Sequence, residues 1–268
     1  MGQYDAPDRK APQVKILLVN DDGIHAPGLA AIGEALSAWG EVWTVAPLEE
    51  QSAKAHSFSL RTPLRVHEFG ERRLAVSGTP ADCVYLALHE LLPSTPNLVV
   101  SGINRGANLG NDVPYSGTAG AAREACIAGV PAMALSLRSS SSSPCHWDTA
   151  CEVGLRAGKA LMEFPLPPYV FLNVNVPNVP VSELKGLRAT VQGPRIYERV
   201  VERREDPSGR AYFWVGGPHL RFEAPLVGPP EVPADGIALS EGWASVTPLS
   251  VFSTDLDSVE VVKGWVDG

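Results

Sequence analysis

From Val14 onward, short apolar runs of strand length alternate with longer amphipathic stretches of helix length, and this alternation narrows the chain to α/β architectures. Lys15 to Val19 (KILLV) has no polar alternation, as expected of a parallel strand covered on both faces. Gly28 to Trp39 then places Leu29, Ile32, Ala35 and Leu36 on one helical face and stops at Gly40. Glu41 to Ala46, Asn97 to Val100, Pro131 to Leu137 and Tyr169 to Val176 read as further strands. Pro80 to Leu92, Gly117 to Ala128 and His146 to Phe164 read as helices. The order predicts βαβ units in a doubly wound, mostly parallel sheet.

Around this body, residues 1–13 are polar and Pro-bearing and are expected to form a flexible tail, with residues 14–268 as a single domain. Ser57 to Phe69 reads as extended, and the serine run Ser139 to Ser143 as a loop ending at Pro144. After about Lys185 the pattern changes. Arg195 to Arg204 and Arg210 to Val215 flank the turn signal Glu205-Asp206-Pro207-Ser208-Gly209, which predicts a protruding hairpin over about 195–216, followed by a C-terminal region over about 217–268. A hairpin this exposed favours at least a dimer.

Composition excludes some partners. The net charge is -8, with 22 Lys and Arg against 30 Asp and Glu, so long nucleic acid and anionic membrane surfaces are not expected. No run of 18 apolar residues occurs, and the N-terminus lacks the apolar core of a signal peptide. The four cysteines, Cys83, Cys126, Cys145 and Cys151, show no CxxC spacing. Reduced thiols and a cytoplasmic location are expected, without a zinc site.

In open parallel sheets, ligands bind beyond the carboxyl ends of the strands. Here those ends carry Asn20-Asp21-Asp22-Gly23, then Glu49 to Ser52, then Ser101-Gly102-Ile103-Asn104. Two adjacent carboxylates repel each other and resist burial unless a cation lies between them. Capping of the next helix is an equal alternative for an isolated pair, but that helix starts only near Pro27-Gly28. Ser and Asn oxygens without His or Cys suit a hard divalent ion such as Mg²⁺ or Mn²⁺. The glycine-rich segment Gly102 to Gly120 runs into a helix beginning near Ser116-Gly117-Thr118, an arrangement that favours an anion. A merely tight loop would look similar, yet beside a cation site the segment points to phosphate. No GxSxG, P-loop or GxGxxG is present, and His56, just beyond Ser52, is the histidine nearest the ligand side.

The stretches ILLVNDDGIHAPG (16–28), VAPLEEQS (45–52), SGTPADCVYLAL (77–88) and VVSGINRGANLGNDVPYSGTAGAA (99–122) resemble the SurE family, the survival protein E nucleotidases, over about residues 14–248. The resemblance implies a Rossmann-like sheet with a protruding hairpin and C-terminal elements that build a homodimer or homotetramer. It also implies one divalent metal ion per subunit, held by Asp21, Asp22, Ser52 and Asn104. The implied activity is that of a 5′-nucleotidase or acid-phosphatase type hydrolase acting on nucleoside 5′- and 3′-monophosphates, with short polyphosphate as a further family substrate. Two positions depart from the family pattern: Ser52 is followed by Ala53, and the later GTD-like block reads Ala234-Asp235-Gly236, which leaves Asp235 outside the expected site.

The expected chemistry is metal-assisted hydrolysis, with Asp21 or Asp22 as base and the phosphate held by Asn20, Gly106, Asn108, Ser116, Gly117 and Thr118. A receiver-like signalling module that binds Mg²⁺ is the main rival, but the corresponding strand ends in Asn104, which cannot take a phosphoryl group as an aspartate does. Phosphatases with an aspartyl nucleophile need a DxD pair, whereas here the acids are adjacent. A binding module without turnover shares the same pattern, and phosphate release separates the two.

Overall fold

The computed structural model describes residues 14–139 and 144–266. The expected N-terminal tail and most of the serine run lie outside the described residues. Strands β1 (Val14–Val19), β2 (Gly40–Pro47), β3 (Val66–Gly70), β4 (Arg73–Val76), β5 (Leu98–Arg105), β6 (Ala132–Arg138) and β7 (Val170–Pro177) build the sheet with β8 (Leu187–Ala189) and a late strand, β13 (Ala244–Ser250). Their order is β3-β4-β2-β1-β5-β6-β7-β13-β8. Every pair from β4 to β7 is parallel, while β3 and β13 pair antiparallel with β4 and β7. The chain reverses its direction of travel across the sheet between β1 and β5, and the crevice at such a reversal is where open α/β sheets hold ligands.

The doubly wound reading of KILLV holds at the level of single side chains. Ile16 and Leu18 pack with Ile32, Leu36, Leu135 and Val153 on one face, against helices α1 (Pro27–Ser37) and α4 (Trp147–Glu163). Leu17 and Val19 pack with Val84, Ala121 and Ala122 on the other, against α2 (Pro80–Leu86) and α3 (Gly117–Ile127). All four strand residues are fully buried, so the period of two delivers one apolar pair to each layer.

Three expected boundaries shift. The helix expected over Pro80 to Leu92 keeps α geometry only to Leu86, then widens over Ala87–Leu91, with Leu92 N–H reaching Ala87 O at 3.1 Å. Within Ser57 to Phe69 only β3 is a strand; the earlier residues are tied to the start of α2, where Thr79 Oγ1 donates to Ser57 O. The strand expected to stop at Val100 runs on to Arg105, because pairing with β6 breaks after Ser101 and resumes at Asn104↔Ser136. Gly102 permits that break, with φ at +148° and its Cα against the Leu135 carbonyl.

The predicted hairpin is two ribbons in series. Its tip is β10 (Val200–Glu205) against β11 (Ala211–Gly216), and its root is β9 (Arg195–Tyr197) against β12 (His219–Phe222). The paired region therefore extends past residue 216, and Gly216-Gly217-Pro218 interrupts the ladder between the ribbons. The tip is exposed throughout and carries Val201, Phe213 and Trp214. After α5 (Asp235–Ser240) and β13, helix α6 (Leu256–Val266) also exposes apolar side chains, Trp265 among them.

Candidate active site at the sheet switch point

A cavity of about 810 Å³ opens at the carboxyl edge of β1 and β5. Asp21, Asp22, Ser52, Asn104, Asn108 and Ser116 all line it, so residues spread over 96 positions converge on one space. Glu50, Arg105, Asp112, Tyr115, Trp147, Arg195 and Tyr197 also line it. Close packing brings the layers together here: a Cβ on Gly28, at the start of α1, would lie 2.3 Å from the Ile103 carbonyl.

Asp21 is 4% exposed and anchored through both oxygens to α3. Thr118 Oγ1 donates to Oδ1 at 2.6 Å, and Thr118 N–H donates to Oδ2 at 3.1 Å. Burial pushes the Asp21 carboxyl up to about 6, the neighbouring Asp22 charge adds to the rise, and the Thr118 bonds oppose it. Asp22 is less buried and accepts one backbone bond, from Arg105 N–H at 3.1 Å on Oδ2. Its carboxyl is also raised, first by burial and then by the charge of Glu50, against the pull of Arg105.

The Asp21 shift fixes a pH dependence. A carboxyl raised in the folded state binds its proton more tightly there than when unfolded. Its stabilising contribution is therefore complete below the ordinary value of 3.8 and disappears as pH rises through about 6. In a chelating buffer, urea unfolding should show this group's share of stability falling between about pH 4 and about pH 7, on the order of 3 kcal/mol. A flat profile for wild type relative to Asp21→Asn would contradict it.

The expected anion cradle is only partly free. Thr118 N–H is taken by Asp21, and Ser116 Oγ accepts from Ala119 N–H at 3.0 Å as the cap of α3. The positive end of α3 thus faces the Asp21 carboxylate directly. Gly117 is needed for that approach, since a Cβ there would lie 3.0 Å from Asp21 Oδ2. Gly106 N–H bonds Leu137 O, and Asn108 N–H bonds Asn175 Oδ1. Those two backbone groups hold the loop to the sheet, in place of the anion-holding part expected of them. Asn20 is fully buried, with Nδ2 on Gly23 O at 2.9 Å, and shapes the aspartate turn from behind. Asn173 and Asn175, two apart on β7 and so on one face, both donate through Nδ2 to Asn108 O.

His56 turns away from the cavity and pairs with Glu124 of α3 at 2.8 Å. Asp235, 1% exposed, accepts from the N–H groups of Gly110, Gly193 and Gly236, so it clamps the turn before α3 to the hairpin root. Residues missed in the sequence cluster at that root. Arg195 Nη1 donates to Asp112 Oδ2 at 2.6 Å, and Tyr197 OH donates to the same oxygen at 2.5 Å. Burial and this bond raise the Tyr197 phenol well above its usual range, so it stays a donor. The signal was the Arg195-Ile196-Tyr197 spacing, which puts both polar side chains on one strand face.

Comparison with known proteins identifies the family. The family described as Survival protein SurE matches residues 16–199. The protein named 5'-nucleotidase SurE from Geotalea daltonii is 45% identical over 252 residues, covering 94% of this chain and 99% of that protein. Its namesake from Alkalilimnicola ehrlichii is 45% identical over 253 residues, covering 94% and 95%. The crystal structure of SurE protein from Aquifex aeolicus superposes with a TM-score of 0.82 at 35% identity, covering 95% of this chain and 100% of that one. With a family model over residues 16–199 and relatives 45% identical along nearly their whole length, the chain belongs to the SurE family.

Proposed function

We propose that this chain is a divalent-metal-dependent 5′-nucleotidase that hydrolyses nucleoside monophosphates to nucleoside and phosphate. The observation that carries the reading is the convergence of Asp21, Asp22, Ser52 and Asn104 on the cavity at the switch point. The donors fit a hard cation. All are oxygens, and the adjacent carboxylates of Asp21 and Asp22, both raised by burial, Asp21 further by the Asp22 charge and Asp22 by the Glu50 charge, sit there at a cost that a cation relieves. Asn104 Nδ2 is occupied by Gly106 O, which leaves Oδ1 as the outward donor atom, and Ser52 Oγ, bonded to Glu50 at 2.8 Å, keeps its lone pairs. We assign one Mg²⁺ or Mn²⁺ per subunit to this set.

When bound, such an ion supplies Lewis acidity toward the phosphoryl oxygens and lowers the pKa of a coordinated water. Asp21, fixed through both oxygens by Thr118, holds the geometry. Asp22 has a single backbone bond and accepts the proton of the attacking water. The Ser116 hydroxyl and the second amide proton of Asn108 orient the phosphate from the opposite wall. Nucleoside 3′-monophosphates and short polyphosphate belong to the same proposed range.

Phosphate release from a panel of nucleoside 5′- and 3′-monophosphates and polyphosphate, with Mn²⁺ or Mg²⁺ and after chelation, tests the reading. Turnover that needs the metal and is strongest on monophosphates is expected; equal rates after chelation would refute it. A receiver-like module would release no phosphate. We further propose that one domain over 14–268 carries the activity and that the exposed apolar faces of the hairpin tip and α6 pair copies of the chain into a dimer or tetramer. Four free cysteines suit a reducing compartment, and we place the protein in the cytoplasm. Among the described residues no helix is long and apolar enough to cross a membrane.

A further inference from the structure

Resting on the nucleotidase reading, we propose that Tyr197, braced by Asp112 and Arg195 at the root of the hairpin, is the wall against which the base of the substrate stacks. It makes the site discriminate nucleotides from phosphomonoesters that lack an aromatic group.

Size is the first support. At about 810 Å³ the cavity far exceeds a phosphate and one ion, and falls in the range of about 300–1,000 Å³ that encloses a whole small ligand. The lining also divides by chemistry. Asp21, Asp22 and Glu50 come from the end of β1 and the loop after β2, whereas Tyr115, Trp147 and Tyr197 come from outside the sheet edge, where the further lining carboxylate, Asp112, is paired with Arg195. A substrate with an anionic head and a flat aromatic tail matches that division.

Tyr197 stands out among the three aromatics by its bracing. Its hydroxyl is bonded to Asp112, the Arg195 guanidinium lies 5.0 Å from its ring centre, and the His219 ring meets it edge-on at 6.0 Å. Arg195 is itself pinned, its backbone N–H donating to Asn111 Oδ1 and its Nη1 to Asp112 Oδ2, each at 2.6 Å. A ring held this way has little freedom left to lose when a base stacks on it. Tyr115, by contrast, is 68% exposed, and Trp147 packs its ring edge against Gly28. The bracing also neutralises charge. Asp112 pairs Arg195 internally, so the hairpin root presents an aromatic surface that does not compete with the metal end for phosphate.

The experiment compares kcat/KM for AMP and for ribose 5-phosphate, with Mn²⁺, in wild type, Tyr197→Leu and Tyr197→Phe. Base stacking on an aromatic side chain predicts that the AMP to ribose 5-phosphate ratio falls about 5- to 100-fold in Tyr197→Leu, mainly through KM for AMP. Tyr197→Phe keeps the ring and should retain most of the ratio. Adenosine should compete with ribose 5-phosphate in wild type, with its inhibition constant rising by the same factor in Tyr197→Leu. An unchanged ratio in Tyr197→Leu, or equal losses on both substrates, overturns the subsite and leaves the nucleotidase reading standing. If metal-loaded wild type hydrolyses neither ester, the nucleotidase reading falls and the subsite falls with it.

Discussion

Asp22→Asn should lower kcat/KM for AMP on the order of a thousandfold or more while leaving the protein at least as stable as wild type. Activation of water and phosphate by a divalent ion is worth several kcal/mol, each 1.4 kcal/mol being about tenfold in rate. Asn deprives the cation of one charge and the attacking water of its proton acceptor. The same change relieves the fold. The Asp22 carboxyl is raised by burial and by Glu50, so its ionised form is disfavoured, and a neutral amide of the same shape can keep its oxygen on Arg105 N–H. Loss of activity without loss of stability marks a residue retained for chemistry. Steady-state kinetics with saturating Mn²⁺, paired with thermal unfolding in a chelating buffer, separates the two effects, and full activity in Asp22→Asn would exclude the mechanism. Ser116→Ala should cost much less than Asp22→Asn, because it removes one orienting hydroxyl and no charge.

The second large effect concerns the backbone. Gly102→Ala is expected to destabilise the protein by about 3 kcal/mol or more, read as a fall in the midpoint of urea unfolding. A Cβ there would sit 2.3 Å from the Leu135 carbonyl of the paired strand, and φ at +148° disfavours any L side chain. The neighbour is backbone in the sheet, so it cannot swing away as a side chain would. Because Gly102 sets the break in β5 that delivers Asn104 to the cavity, the folded fraction should also bind Mn²⁺ more weakly. Wild-type stability in Gly102→Ala would show that the strand absorbs the methyl group by shifting.

How far the sequence was legible follows from how local each signal is. KILLV read correctly because burial on both faces needs nothing more than unbroken apolarity over a strand length. Asp21 and Asp22 stood out because an acidic pair at a strand end is costly without a cation. The extension of β5 through Ser101-Gly102-Ile103-Asn104 was not legible, since Gly102 and Asn104 have poor strand propensity and the segment is held by pairing with β6 at Ser101 and Asn104. The groups expected to cradle phosphate were over-counted for a related reason. Glycine and threonine at a helix start announce available N–H groups, but which acceptor takes them depends on what packs there: Asp21 takes Thr118, Leu137 takes Gly106 and Asn175 takes Asn108.

Asp112, Arg195 and Tyr197 were the furthest from reach. Asp112 lies more than 80 positions before Arg195 and Tyr197, and no local pattern states that the hairpin folds back so that its root becomes the cavity wall. By itself the sequence determined the α/β layering, the acidic pair at the end of the first strand and the existence of a hairpin, because each follows from apolar period, residue identity or turn chemistry within a few residues. The tertiary structure alone decided which hydrogen-bonding groups remain free at the cavity and which aromatic rings line it, because in a close-packed interior most donors are claimed by whichever acceptor the fold brings nearest.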